Sequence, residues 1–495
     1  DGKALGSIYH ASPALVGTPT GYLRDESYAA FAADPLIQKR PLMMYAATTD
    51  GQLHGFKVAS NDPSDLQPVD ALRNNELWSF IPPYVLPGIL PTYGRQALLL
   101  DGSLVHKDVI MERTRAQAQG GALGVNWRSV IVGSGGAGGG FYYALDVTNA
   151  SSPRFLWQLS TNAAGDPLFS GKTIKPAITT VAIDDGNQDV REVAVAILPG
   201  GATSLSTGTC SRLTTTSTVW PVDTYQPRLG ANSVRCWQDA TGKVGPARSL
   251  TIVRLDNGQV VMNFRGAAND GPTLPSTKFK SGVFDSPITG TPVPYPSQTG
   301  QVSDRIYVGD ADGGVWRIDM RDPKPVNWTV DLIWDSYSMS NDTVAVRQPI
   351  ETPIIPTVDA IGNPVVLFST GDQETFTKSA NVRTRVWSVS ETRTNGTLVT
   401  KSNWVIPLEN GVRVLNMSLG QGQLLGAAKS RHHMALAHIG VERHAAINPR
   451  VVCRHYAYPG AIGQPRDEKI LRQLRQDSDG EIDLAIVKIG AHREH

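Results

Sequence analysis

Apolar and polar residues alternate in short runs along this chain, and Asp-Gly or Asn-Gly breaks many of the runs. Two runs align without a gap, YAATTDGQLHGF from Tyr45 to Phe56 and YVGDADGGVWRI from Tyr307 to Ile318. Each gives an aromatic residue, four further positions, Asp-Gly, an apolar residue, and another apolar residue three positions on. Alternation with a period of two marks strands with an inward and an outward face. Gly supplies the positive φ that a tight hairpin turn demands. The pattern predicts hairpins turning at Asp50-Gly51 and Asp312-Gly313, with Tyr45 and Tyr307 at equivalent strand positions.

Weaker copies lie between and after these two. SVIVGSGGAGGGFYYALDV (Ser129 to Val147) reads as a hairpin with a long, flexible Gly-rich turn. LTIVRLDNGQVVMNF (Leu250 to Phe264) turns at Asn257-Gly258, and VVLFSTGD from Val365 returns through RVWSV. VAVAIL (Val193 to Leu198) reads as a buried strand at the same place in the repeat. A tryptophan follows many of the hairpins, at Trp78, Trp157, Trp334 and Trp404. The recurring strands are spaced by roughly 55 to 85 residues. A sheet-forming unit of this size cannot bury both of its faces alone, but stacking around a ring buries them. The fold expected is therefore all-β, a β-propeller of six to eight blades, seven being the central expectation, with loop insertions. An array of β-sandwiches or a β-helix is the alternative, though a β-helix would show a shorter and more regular period. Residues 1–40 read as a leading segment packed on the propeller, 41–430 as the propeller, and 431–495 as a divergent closing or docking segment. Tyr28 to Gln38 reads as a short helix.

Composition narrows the function classes. Gly at 48 and Pro at 33 suit a turn-rich β protein rather than a helical one. A formal net charge of +1 with no basic stripe carries no nucleic-acid footprint. No apolar run reaches the ~18 residues needed to span a membrane as a helix. The chain opens at Asp1 without Met, and we expect it to belong to a longer exported protein whose targeting segment lies upstream. The cysteines, Cys210, Cys236 and Cys453, match no zinc or redox spacing. Cys210 and Cys236 flank a Thr/Ser-rich stretch, and pairing them would contribute about 3 kcal/mol in a loop-entropy account. Two unpaired thiols are the alternative.

Several strings, taken in order, resemble the PilY/PilC family of type IV pilus tip-associated proteins. They are LGSIYHASPALVG (Leu5 to Gly17), YAAFAADPLIQKRPLMMYAATTDGQLHGF (Tyr28 to Phe56), ELWSFIP (Glu76 to Pro82), LLLDGSLVHKDV (Leu98 to Val109), NWRSVIVGSGGAGGGFYYALDVTNASSP (Asn126 to Pro153) and DRIYVGDADGGVWRIDM (Asp304 to Met320). The similarity runs from about Leu5 to Val389. It implies a C-terminal propeller module located outside the cell at the pilus tip, with minor pilins and the tip complex as partners. It also implies a role in pilus biogenesis, in twitching motility and in adhesion to a host or abiotic surface. A calcium loop linked to pilus extension and retraction is a further implication.

That loop would precede DRIYVGD. Here the stretch is PSQTGQVSD, Pro296 to Asp304, and Asp304 is its only acid. Ca²⁺ takes six to eight oxygens, several from carboxylates, so weak or absent binding is expected there. Two other acidic turns have calcium-like alternation. Asp185, Asn187 and Asp189 lie in DDGNQDVREV, and Asp477, Asp479 and Asp483 in RQDSDGEIDLAIV. Plain turns favour the same residues, since Asp, Asn and Gly accept local backbone bonds and positive φ. The run Gly133 to Gly140 precedes a strand, so it presents no helix N-terminus to a phosphate. Seven of the ten histidines follow Ser430, at spacings unlike a zinc site. No nucleophile turn of the G-x-S-x-G type occurs, and no enzyme is expected. A quinone-dependent dehydrogenase-like propeller and a glycan-binding lectin propeller are the competing functions. The adjacent cysteine pair common near the quinone is missing.

Overall fold

The structure is a computed structural model. It describes residues 5–19, 26–65, 75–114, 127–184, 189–203, 209–211, 233–235, 245–266, 273–281, 286–336, 348–359, 361–371, 384–394, 397–408, 413–420, 423–429, 434–440, 450–457 and 483–490, with the single positions 69, 117, 186 and 284. From Ser418 onward it describes the backbone alone. Two compact units are present. One comprises residues 1–217, 232–307 and 317–331; the other comprises 218–231, 308–316 and 332–495.

The strands follow the predicted pattern. The first unit opens with β1 (Ala14–Val16), β2 (Leu42–Ala47), β3 (Leu53–Ala59) and β4 (Glu76–Phe80), a four-stranded sheet in chain order. Next come β5 (Leu104–Ile110), β6 (Glu112–Thr114), β7 (Trp127–Ser134), β8 (Tyr142–Asp146) and β9 (Arg154–Leu159). Of these, β5, β7, β8 and β9 form the second sheet. The third sheet is built from β10 (Ala177–Asp184), β11 (Val190–Pro199), β14 (Ser249–Arg254), β15 (Val260–Arg265) and β16 (Phe279–Lys280), and β6 joins it beside β11. Between β11 and β14, β12 (Thr209–Ser211) and β13 (Ser233–Arg235) make a separate ribbon. A fourth sheet has β17 (Val293–Tyr295), β18 (Arg305–Gly309), β19 (Gly314–Asp319) and β20 (Thr329–Asp335). The second unit contains the sheet of β21 (Ile355–Val358), β22 (Pro364–Ser369), β23 (Arg385–Thr394) and β24 (Thr397–Pro407). It also holds β25 (Arg413–Gly420), β26 (Gln423–Lys429) and β27 (Met434–Gly440) in one sheet, and β28 (Arg450–Ala457) paired with β29 (Asp483–Gly490).

Burial on both faces of a strand shows what stacking achieves. On β7, Ile131 packs in a core with Tyr45 and Leu53 of the first sheet. Its neighbours Val130 and Val132 pack in another core, with Ala194, Ala196 and Val253 of the third sheet. On β8, Tyr143 and Leu145 take the first side, and Tyr142 and Ala144 the second. Alternate side chains point to opposite faces, and here both faces are covered by sheets. The trailing tryptophans Trp78, Trp157, Trp334 and Trp404 all lie on fourth strands, β4, β9, β20 and β24. Two of them tie consecutive sheets together. The Trp78 indole N–H donates to the Ala150 carbonyl and that of Trp157 to the Leu255 carbonyl, both at 2.8 Å. Ala150 and Leu255 each lie just beyond the third strand of the following sheet.

The repeat needs one correction. VAVAIL and LTIVRL were expected in separate units, but they are β11 and β14 of one sheet, paired Ile197 to Ile252. The long segment between them is an insertion from the second to the third strand, and it breaks the period read from the sequence. Cys210 sits on β12 opposite Val234; Cys236 lies outside the described residues.

Tyr45 and Tyr307 do occupy equivalent places, on the second strands β2 and β18, each wholly buried. Gly51 and Gly313 have φ of +98° and +91°. Both belong to a five-residue turn in which the first N–H meets the fifth carbonyl, Thr48 to Gln52 at 2.9 Å and Asp310 to Gly314 at 3.0 Å. Asn162–Asp166 and Asp359–Asn363 repeat it, with Gly165 and Gly362 in the same fourth position. In three of the four, a carbonyl or carboxylate oxygen of the first side chain accepts the third and fifth N–H groups. In the first, the Thr48 hydroxyl donates to Asp50 and contacts His54 Nε2 at 3.1 Å, and His54 Nδ1 lies 2.6 Å from Glu76.

The leading segment supplies β1, with Ala14 opposite Tyr45. Its expected helix is two, α1 (Glu26–Ala33) and α2 (Pro35–Gln38). Pro35 cannot continue a helix but starts one well, and Asp34 caps the second through Leu36 N–H at 2.8 Å. Tyr28 packs edge-on against Trp127 and donates to Asp108 at 2.8 Å. Ser129 also donates to Asp108, at 2.6 Å, and Arg40 donates to Ser129 and to the Gly17 carbonyl. Burial raises the Asp108 carboxyl, but His106 at 3.4 Å and hydrogen bonds from Ser129 and Tyr28 outweigh it and hold the group below the usual carboxylate range.

Candidate functional site

The stretch Pro296–Asp304 joins β17 to β18 and is zipped to β10. Val302 bridges Thr180 in parallel. The Ser303 N–H donates to the Thr180 carbonyl at 2.8 Å, and its hydroxyl lies 2.5 Å from Thr179 Oγ1 and 2.7 Å from the Pro296 carbonyl. Asp304 N–H returns to the Tyr295 carbonyl at 2.9 Å. The Asp304 carboxylate faces Arg305, accepting from Nε at 2.8 Å and from the terminal nitrogen at 3.2 Å. These residues do not fit calcium. The lone carboxylate is held by a guanidinium, and the Tyr295 and Pro296 carbonyls already accept bonds within the chain, against the six to eight free oxygens Ca²⁺ takes.

A cation of another kind reaches this loop. Lys107 on β5 donates from its ammonium to the Ser297 carbonyl at 2.9 Å and to the Ile178 carbonyl at 3.3 Å. Burial pushes its pKa down to about 8. Desolvation disfavours the charged form, and the two carbonyl bonds do not offset it.

The other two acidic turns are described in part. Asp184 and Val190 close the β10–β11 hairpin. Asp184 accepts from Gly186 N–H at 2.9 Å and lies 3.8 Å from Lys324 Nζ. Asp189 is half-buried beside them, while Asp185 and Asn187 lie outside the described residues. Asp477 and Asp479 also lie outside them, and Asp483 is described only as the first backbone position of β29. Among the described residues no group of three or more His, Cys, Asp or Glu side chains converges.

The Gly-rich run was expected to be a flexible turn. It is a turn, but close-packed. Gly136 has φ of +61°, and a Cβ there would stand 2.5 Å from the Asp101 carbonyl carbon. Gly136 also exchanges bonds with Thr173, its N–H donating to the hydroxyl at 2.9 Å and its carbonyl accepting the Thr173 N–H at 3.1 Å. Sequence reasoning missed a groove of about 680 Å³ between α1–α2 and the turn after β8. Phe31, Lys39, Arg128, Asp146 and Arg154 are among its lining residues. Asp146 is buried and draws in both arginines, Arg154 at 3.4 Å and Arg128 at 3.9 Å.

No family model matches the chain. The type IV pilus biogenesis factor PilY1 homolog of Xylella fastidiosa is 26% identical over 381 residues, covering 74% of this chain and 23% of that protein. Type IV pilus biogenesis factor PilY1 of Pseudomonas aeruginosa is 26% identical over 377 residues, covering 72% and 24%. The chain thus spans about a quarter of the length of the curated relatives it matches. The crystal structure of the Pseudomonas aeruginosa PilY1 C-terminal domain matches with a TM-score of 0.54 at 16% identity, over 86% of this chain and 85% of that one. By sequence the chain is similar to the PilY/PilC proteins, and its fold is the β-propeller of the PilY1 C-terminal domain.

Proposed function

We propose that the chain is the propeller module of a type IV pilus biogenesis factor, exported and carried at the pilus tip. There it supports adhesion to a host or abiotic surface and the control of extension and retraction, with minor pilins as partners and no catalytic role. One observation carries this reading: the match to the PilY1 C-terminal domain covers 85% of that domain, and the curated relatives bear the name of pilus biogenesis factors. The relatives favour neither the quinone-enzyme reading nor the lectin reading. Deleting the gene, then restoring it with and without the propeller, tests the proposal. Surface pili and twitching motility should disappear and return only with the propeller. Normal piliation in a deletion strain lacking any paralogue would overturn it.

Within this reading calcium is a weak ligand of the acidic turns, at Asp185, Asn187 and Asp189 or at Asp477, Asp479 and Asp483, and not of residues 296–304. Each set supplies few carboxylates, which sets affinity in the range of about 10⁻⁴ to 10⁻³ M. In calorimetry, Asp189→Ala or Asp479→Ala should abolish weak binding and Asp304→Ala should not. Micromolar binding lost with Asp304→Ala would reverse the assignment.

A further inference from the structure

We propose that an internal cation, the ammonium of Lys107, holds the 296–304 loop where a metal ion would otherwise be expected. The loop offers a divalent ion one carboxylate, and Arg305 engages it through two hydrogen bonds. It offers an ammonium the Ser297 carbonyl, and Lys107 lies on it at 2.9 Å. The second acceptor is the Ile178 carbonyl of β10, the strand to which the far end of the loop is zipped through Thr180. One side chain therefore joins β5, β10 and the loop, segments 71 and 190 positions apart from it in sequence. A divalent ion at the Ser297 carbonyl would stand against this positive charge.

The surrounding charges leave the ammonium in this role. Side chains of adjacent strand residues point to opposite faces, and Asp108, next along β5, is bonded to Tyr28 and Ser129 on the other side. In the loop, Asp304 pairs with Arg305, and at the end of β10 Asp184 lies near Lys324. Among the described residues no carboxylate forms an ion pair with Lys107, which fits the lowered pKa already noted. A desolvated ammonium bonded only to carbonyls adds little to overall stability, so its effect is local: it fixes where the loop lies.

Hydrogen exchange on the full chain separates the local from the global effect. The Ser303 and Asp304 amides report on the loop, and those of Val195 and Ile252 report on the third sheet. In Lys107→Met the two loop amides should exchange about tenfold faster or more, with the sheet amides exchanging no faster than in wild type. In wild type, CaCl₂ above the ~10⁻³ M at which weak extracellular sites fill should leave the loop as it is under chelator. Unchanged loop exchange in Lys107→Met overturns the proposal. The calcium arm needs no variant, and a wild-type loop that gains protection with CaCl₂ overturns it as well.

Discussion

Replacing Asp310 with alanine should destabilise the protein by about 3–5 kcal/mol, whereas the same change at Asp359 should remove less than about 1 kcal/mol. The two acids open turns of the same geometry, so the comparison isolates burial. Asp310 is fully buried, and its carboxylate accepts from Asp312 N–H at 2.8 Å, Gly314 N–H at 2.7 Å and the Trp316 indole N–H at 2.8 Å. Trp316 is fully buried too. Each donor stranded out of water costs about 1–3 kcal/mol, and a water entering the vacated space recovers part of the sum. Asp359 accepts from Ile361 N–H at 3.0 Å, Asn363 N–H at 2.8 Å and the Asn363 side-chain amide at 2.9 Å. Ile361 is 84% exposed, so solvent replaces those bonds at once. Urea unfolding followed by tryptophan fluorescence reads the midpoint shift, provided the slope is unchanged. Asp310→Asn should fall between, because it keeps an acceptor for the two amides but turns a donor toward the indole. Equal shifts for Asp310→Ala and Asp359→Ala would refute the reasoning, since burial would then decide nothing.

Three further outcomes follow from the packing. Trp157→Phe keeps the ring but strands the Leu255 carbonyl, and should lower stability by about 1–2 kcal/mol in the same urea assay. Asp108, held below its unfolded pKa of about 3.9, contributes stability that is fully present above that value and is lost as pH falls through its folded pKa; an acid titration of Asp108→Asn should be flatter there than wild type. Lys107 has the same sign of shift on a base: its folded pKa is about 8 and its unfolded value is about 10.4. Stability should therefore rise between about pH 8 and 10.4, and Lys107→Met should remove that rise.

The legible parts of the fold were the local ones. Hairpin strands and the Asp-Gly turns between them are contiguous on the chain, where period-two alternation reports them directly, and the fourth-strand tryptophans follow within roughly 30 residues. The third sheet was misread because a long insertion separates β11 from β14, so two strands of one sheet looked like members of two. The turn was read by its Asp-Gly pair, yet its structural mark is the residue at the first position. Thr48, Asn162, Asp310 and Asp359 all stand there, three positions before Gly. A search for Asp or Asn three positions before Gly would have found the turns at 162 and 359, which carry no Asp-Gly. Pro35, which divides the leading helix, is equally visible in the sequence.

The 296–304 loop shows where reading a sequence stops and why. The depletion of acids there is a property of nine consecutive residues, and composition exposed it. What takes the place of those acids is not a property of that string. Lys107 lies 190 positions from Ser297, on a strand whose alternation marks it only as one more polar residue, on the face opposite His106 and Asp108. Strand pairing alone gives it a face, and the stacking of the second sheet on the third then brings that face to β10. Only then do an ammonium and a carbonyl meet at 2.9 Å. A metal loop declares itself in sequence because its ligands must be close together on the chain to close around one ion. An internal cation carries no such constraint, since its stem is anchored elsewhere in the fold. Losing the carboxylates and retaining an ordered loop are therefore compatible, and the second can be recognised only in three dimensions.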